Sequence, residues 1–251
     1  MILAIRSEWL KLRTVRVHFV LLILAVAFPV LVTVLVTIYG DNPDEVRSYE
    51  LAELISGTSV ISVMLFSAVA AISLTSEFAH GTIRPTYAAT PNRVRVMTAK
   101  LMVNSVVAAV LAVALIAICW TIGAAVLESR DAEISLGVDD GSIGALAGLV
   151  VLAVILTWFA FGIGLIVRNA PATVSILLLW PLVAEGLFAV VFALLGADGL
   201  FKWLPYQACL AAVAATPEAD SLGRPGAWLW FGAISAALVA IGLGANMKRD
   251  A

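Results

Sequence analysis

The sequence has few charged residues and almost no cysteine. Charged side chains make up 13% of its 251 residues and hydrophobic ones 62%, whereas an ordinary soluble domain is roughly 25% charged. The two cysteines, Cys119 and Cys209, are too few and too widely spaced for a disulfide framework or a metal cluster. The net charge of -2 gives no indication of a nucleic-acid partner. A chain of this composition is solvated mainly by lipid.

Several catalytic motifs are also missing from the sequence. It has no Gly-x-x-x-x-Gly-Lys-Ser/Thr phosphate loop, so this chain cannot bind and hydrolyse ATP by that route. It has no His-Glu-x-x-His zinc motif and no Gly-x-Ser-x-Gly nucleophile elbow, which argues against a membrane-embedded hydrolase. We therefore predict a non-catalytic chain without a metal or cofactor of its own.

Long apolar runs dominate what is present. A helix needs about 20 residues to cross the hydrocarbon core of a bilayer. Backbone polar groups find no partner in lipid, so each run must be helical. The sequence predicts an all-α membrane protein of one domain, whose first run is a retained span because it is too long for a signal peptide. Six runs qualify as spans: 19–39, 54–74, 101–127, 143–167, 173–195 and 228–247.

Lysine and arginine are distributed unevenly among the connections between these runs. Cytoplasmic connections normally carry the excess of positive charge. If the N-terminus is cytoplasmic, eleven cations fall on the cytoplasmic side and four fall outside, namely Arg47, Arg130, Lys202 and Arg224. The pattern predicts that both termini are cytoplasmic.

The residues before the first span form an amphipathic pattern. Ile2, Ile5, Trp9 and Leu12 fall within an arc of about 80° on a helix. Their apolar face could lie in the headgroup boundary while neighbouring basic side chains meet anionic lipid. The pattern indicates either an interfacial helix over residues 1–18 or an ordinary positively charged anchor.

The connection between the second and third spans, residues 75–100, is the most informative polar segment. Thr90 followed by Pro91 supplies an N-cap and a first-turn proline, so a helix is predicted to begin there and to continue into the third span. A shorter helix is predicted over 82–88, where Ile83 and Tyr87 lie one turn apart on a common face. That face needs a cover, either the bundle itself or a groove of a cytoplasmic protein.

At these residues the sequence resembles a known family, the membrane permeases of bacterial ATP-binding-cassette (ABC) exporters of the type-2 class. The resemblance runs end to end, including a short turn at 168–171. Its most specific part is a set of phrases at the usual spacing: Ser7-Glu8-Trp9-x-Lys11-Leu12-Arg13 at the start, then Glu77, Gly81-Thr82-x-Arg84, Pro91-x-Arg93 and Lys100.

The resemblance implies both partners and a mechanism. The connection 75–100 would contain a coupling helix that docks on a separate nucleotide-binding subunit, which binds ATP and Mg, and a second permease copy or paralogue would complete the pathway. The substrate would be an amphipathic or apolar drug, lipid or peptide exported across a bacterial cytoplasmic membrane. The contacts expected at the ATPase are Ile83 and Tyr87, and the wider set of coupling residues is Glu77, Phe78, Gly81, Thr82, Ile83, Arg84, Tyr87 and Arg93.

The family also places short re-entrant helices before its last span. The segment 196–226 is apolar enough to contain them, although an amphipathic outer loop would have the same sequence pattern.

One ionisable residue falls inside a predicted span. Glu185 lies roughly 20 Å from the cytoplasmic end of the fifth span, where a charge costs several kcal/mol unless it is paired, hydrated or protonated. Pro181 lies four residues earlier and removes a backbone hydrogen bond, which favours a kink beside the carboxyl. Glu185 is a candidate for lining the substrate path, with a protonated, hydrogen-bonded carboxyl as the alternative.

Two other functions remain open from the sequence. An ion-gradient-driven secondary transporter could work through Glu185, although such folds usually carry inverted repeats and more intramembrane charge. A non-transporting subunit of a larger membrane complex is also compatible with every residue.

Overall fold

The computed structural model describes residues 16–42, 46–89, 92–138, 140–216 and 220–248. The predicted interfacial helix falls almost wholly outside the described residues. The described α-helices are α1 Arg16–Tyr39, α2 Ser48–Ala79, α3 Ile83–Ala89, α4 Arg93–Glu128, α5 Ser142–Val167, α6 Ala170–Leu179, α7 Glu185–Leu194, α8 Pro205–Val213 and α9 Gly223–Lys248. A π-helical turn, Trp180–Ala184, joins α6 to α7, and a 3₁₀ helix, Asp198–Trp203, precedes α8.

Five of the described helices are long and apolar enough to cross a membrane: α1, over its residues 19–39, α2, α4, α5 and α9. They coincide with five of the six predicted spans. α2 and α4 extend several residues beyond the runs 54–74 and 101–127, because an apolar run ends where lipid ends, whereas a helix ends only where its backbone is interrupted. α2 continues until just before Gly81, whose φ of +67° favours glycine.

The predicted span at 173–195 differs from the others. It consists of two shorter apolar helices, α6 and α7, on either side of the π-helical turn. Pro181 has no N–H to donate to the preceding turn, and the N–H of Glu185 donates to the carbonyl oxygen of Trp180, five residues back. The predicted disturbance of the helix beside Glu185 is therefore present as a local widening of the helix.

The bundle is built around α2 and α5, which pack against each other; α1 lies on α2, and α9 lies on α5. Small residues allow the closest approaches. A Cβ added at Gly162 of α5 would lie 2.8 Å from the Cβ of Leu238 in α9, and one added at Gly242 would lie 2.7 Å from the Cβ of Leu165. These contacts leave no room for a side chain between α5 and α9.

The segments that connect the long helices lie at the two ends of the bundle, as the sequence predicts. At the end predicted to be outside, Arg130 Nη1 donates to the carbonyl oxygen of Thr37 at 2.7 Å, and Arg224 Nη1 donates to that of Gly141 at 3.1 Å. At the opposite end lie α3, the start of α4 and the C-terminal ends of α5 and α9. Which end faces the cytoplasm stays a prediction.

Candidate functional site

The short helix α3 lies within one residue of its predicted position at 82–88. The helix that follows begins later than predicted. Its N-cap is Asn92, whose Oδ1 accepts a hydrogen bond from the backbone N–H of Arg95 at 3.0 Å, so the prediction of a start at Thr90 and Pro91 is corrected by two residues. Asparagine is among the best N-cap residues, so it can cap the helix as well as a threonine could. Thr90 and Pro91 lie outside the described residues.

The bundle itself covers the apolar face of α3. Ile83 is 2% exposed and Tyr87 is 9% exposed. Both pack in a cluster with residues of α2, α4, α5 and α9, including Leu74, Met97 and Phe161. Of the two covers that the sequence left open, the structure supplies the first, and this corrects the expectation that Ile83 and Tyr87 themselves contact a partner. Burying this face anchors α3 to the bundle.

The opposite side of α3 is exposed. Arg84, Pro85 and Ala88 are exposed on it, and so is Thr82 just before the helix. Beside it lies a cavity of about 520 Å³, bordered by arginines and aromatic carbon. The described residues that line this cavity are Phe78, Ala79, His80, Gly81, Ile83, Arg84 and Arg168. A partner would therefore meet a surface with positive charge, in contrast to the apolar contact expected from the sequence.

A buried ion pair holds α2 against α4 at this end of the bundle. Lys100 Nζ lies 2.6 Å from Glu77 Oε1, and both side chains are almost fully buried. The ammonium group compensates the carboxylate, which would otherwise be costly to bury. Glu77, one of the predicted coupling residues, thus joins α2 to α4 through Lys100.

A cluster around Asn246 joins α3 to α9. Asn246 Nδ2 donates to Tyr87 Oη at 2.8 Å, and its Oδ1 accepts from Arg168 Nη2 at 2.8 Å. Its main-chain oxygen accepts from Arg93 Nη1 at 3.2 Å. Arg93 also lies over the ring of Tyr87, 5.1 Å from its centroid, and Arg168 lies 4.7 Å from that of Phe78.

Sequence reasoning identified Tyr87, Arg93 and Phe78 but missed Asn246. The available signal was a single amide side chain near the end of the last apolar run. Such a residue is expensive to bury without partners, so its presence there indicates a hydrogen-bonded site.

Glu185 lies apart from the coupling residues. It is 2% exposed, and its Oε1 accepts from the backbone N–H of Tyr206 at 2.7 Å and from Trp180 Nε1 at 3.1 Å. Tyr206 is the second residue of α8, where backbone N–H groups have no partner within the helix. Leu204, at the N-cap position, has no side-chain oxygen to cap it. Glu185 therefore caps α8 from a different helix, where a carboxylate also interacts favourably with the helix dipole.

The start of α8 lies deep in the bundle. Pro205 and Tyr206 line a cavity of about 20 Å³ together with Leu156, which lies about 20 Å along α5 from its first residue. At the other end of α8, the carbonyl oxygen of Val213 accepts from Ser56 Oγ at 3.0 Å. The cavity can hold about one water molecule. This cavity, which is lined by the two residues that donate to Glu185, is too small for a drug-sized molecule.

No group of three or more histidine, cysteine, aspartate or glutamate side chains is placed to hold a metal ion within the described ranges. Of the predicted coupling residues, Gly81, Thr82 and Arg84 are exposed at one end of the apolar bundle, where a protein can contact them.

The sequence around this site matches a known family. The sequence model of a family described as "ABC-2 family transporter protein" matches residues 4–195, about three quarters of the chain. No curated protein matches the chain. The matched region includes α3 and every predicted coupling residue, and membership of such a family implies association with an ABC ATPase subunit. With five apolar helices of spanning length among its described residues, the chain is a multi-pass membrane protein, and it belongs to the ABC-2 family of transporter proteins.

Proposed function

We propose that this chain is the permease subunit of an ATP-driven exporter. It moves an amphipathic or apolar substrate, such as a drug, lipid or peptide, out of a bacterial cytoplasm by alternating access. The observation that carries the proposal is the position of α3, whose apolar face is buried in the bundle while its other face is open to a partner. A helix held in this way can transmit a displacement from a bound partner to the bundle.

The ATPase docks on the exposed face of α3 and on the adjoining cavity bordered by Arg84 and Arg168. Because this surface carries positive charge, the complementary groove on the ATPase carries carboxylates. ATP and Mg bind to that partner, since this chain has no phosphate loop. Closure of two ATPase subunits would displace α3 and open a pathway shared with a second permease copy or paralogue.

The proposed topology has six spans with both termini in the cytoplasm. Residues 170–194 count as the fifth span, because α6, the π-helical turn and α7 have 10, 5 and 10 residues, enough for about 37 Å of helix. The 3₁₀ helix and α8 then form the re-entrant element, since α8 starts deep in the bundle and ends near Ser56. Glu185, which caps α8, remains the candidate residue for the border of the substrate path.

The test is co-purification of the ATPase from native membranes in mild detergent. We expect the wild-type chain to bring down a protein that contains a phosphate loop and hydrolyses ATP. Arg84→Glu should abolish this association while the bundle stays folded. Arg95→Glu is the matched control, because Arg95 is exposed at the same end of the bundle but lies on α4.

The outcomes distinguish failure of the proposed function from failure of the proposed docking surface. If the wild-type chain brings down no ATPase, the proposed function is wrong. If Arg84→Glu and Arg95→Glu both retain the ATPase, the docking surface is wrong. The substitution of Ile83 and Tyr87 with aspartate, which the sequence alone suggests, would place charges in the core and would test folding rather than docking.

A further inference from the structure

Asn246 has more partners than its place in the chain predicts. It is 1% exposed, and its two amide atoms and its main-chain oxygen all engage groups on other helices. Two of the donors are guanidinium groups, which form stronger hydrogen bonds than neutral donors. The Tyr87 contact joins residues 159 positions apart in sequence. One residue of α9 is thus connected to α3 and to the C-cap of α5 through its side chain, and to α4 through its main-chain oxygen.

The chain itself connects α3 in only two directions, back to α2 and forward to α4. If the chain were the only connection, a displacement of α3 would reach α9 only through side-chain packing. The hydrogen bond from Asn246 to Tyr87 provides a direct route, and the Arg168 contact extends it to the C-cap residue of α5. α9 in turn packs on α5 without intervening side chains at Gly162 and Gly242. Movement of the end of α9 is therefore expected to carry α5 with it, since close-packed helices transmit displacement.

We propose that Asn246 is a positioning residue that makes α9 and α5 a second output of the coupling helix, so that displacement of α3 reaches them as well as α4. This inference rests on the proposed function, because it concerns what an ATPase-driven displacement of α3 would do.

Its test measures movement at the far end of the bundle. Spin labels are attached at Tyr39→Cys and Leu229→Cys, two exposed positions distant from Asn246, in a background where the buried Cys119 and Cys209 are alanine. The distance between the labels is measured by double electron–electron resonance in the complete complex, with and without ATP and Mg. We expect ATP to change this distance in the otherwise wild-type complex.

Asn246→Leu, which keeps a similar volume but no hydrogen-bonding group, should lose most of this change while the ATPase still co-purifies and still hydrolyses ATP. Asn104→Leu is the matched control, because Asn104 is also buried but its amide donates to the carbonyl oxygen of Lys100 in its own helix. It should keep the change. Asn246→Asp should restore part of it, since a carboxylate still accepts from Arg168 and from the Tyr87 hydroxyl.

Retention of the full ATP-dependent change in Asn246→Leu would overturn the inference. If Asn246→Leu fails to fold, Tyr87→Phe provides the second variant, because it removes only the bond to Asn246. It should reduce the change, and an undiminished change would again overturn the inference. Failure of the proposed function is distinguishable, because it appears as the absence of an ATPase from the wild-type complex.

Discussion

Two buried glutamates in this bundle are stabilised in different ways. Glu77, at the end of the bundle that contains α3, lies 2.6 Å from the ammonium group of Lys100. Glu185, deep in the bundle, accepts hydrogen bonds from a backbone N–H and an indole N–H. The first joins α2 to α4 by an ion pair, and the second joins α7 to α8 by capping a helix. The carboxyl at the α3 end of the bundle has a charged partner, whereas the deeper one accepts from two neutral donors at a single oxygen, Oε1.

The largest expected effect concerns the ion pair. Lys100→Met removes the ammonium group beside a buried carboxylate, so we expect the free energy of unfolding to fall by about 3 to 5 kcal/mol. The double variant Glu77→Leu with Lys100→Met should regain much of this loss, because no buried charge then lacks its partner. Unfolding by heat or denaturant in detergent would measure both. A loss below about 1 kcal/mol for Lys100→Met would mean that the pair behaves like an exposed one.

The second effect tests the cap on α8. Glu185→Leu leaves the N–H groups of Tyr206 and Trp180 without their acceptor, which should cost about 1 to 3 kcal/mol. Glu185→Gln should cost less, because an amide oxygen can accept the same bonds. A different outcome is that Glu185→Gln folds normally but no longer transports, while transport by the wild type follows a proton gradient. The secondary-transporter alternative would then replace the proposed ATP-driven function.

A third prediction compares that distant cap with a local one. Asn92 caps α4 from the adjoining residue, so Asn92→Ala should cost about 1 kcal/mol and affect only the start of α4. Hydrogen exchange would show the difference: faster exchange confined to the first turn for Asn92→Ala, and faster exchange throughout α8 for Glu185→Leu. Equal spread in the two variants would contradict the assignment of Glu185 as the cap.

The smallest effect concerns pH. Burial raises the pKa of Tyr87 above its ordinary value of 10.0, against the opposing effects of the Asn246 hydrogen bond and nearby arginines. The ionised phenolate is therefore disfavoured in the folded state. Stability should be unaffected by this group below pH 10.0 and should fall as the pH rises above 10.0 towards the raised value. Comparing the melting temperatures of the wild type and Tyr87→Phe across this range isolates the contribution, and parallel curves would refute it.

The sequence predicted the elements that depend on local patterns. The helix over the apolar run 19–39, the short helix α3 and the disturbance at Pro181 all follow from apolar runs, glycine and proline, and the structure has each of them within a residue or two. It could not predict what covers Ile83 and Tyr87, because periodicity reveals that a helix has an apolar face but not which neighbour occupies it.

The contacts between residues distant in sequence could not be predicted from the sequence either. Asn246 and Tyr87 are 159 positions apart, and Glu185 and Tyr206 are 21 apart. Neither pair forms a local pattern, since the helices that bring them together are positioned by the packing of the whole bundle.

Arg130 has a further consequence for membrane topology. Its guanidinium binds the carbonyl oxygens of Thr37 and Gly40, where α1 ends. Those carbonyls carry the negative end of the α1 dipole, so the arginine complements a charge that the helix itself brings to that surface. Arg130 is one of the four cations predicted to lie outside the cytoplasm, and its contacts fasten the end of α1 to the segment that follows α4. Removing it should therefore loosen the end of α1 without reversing the direction of that helix.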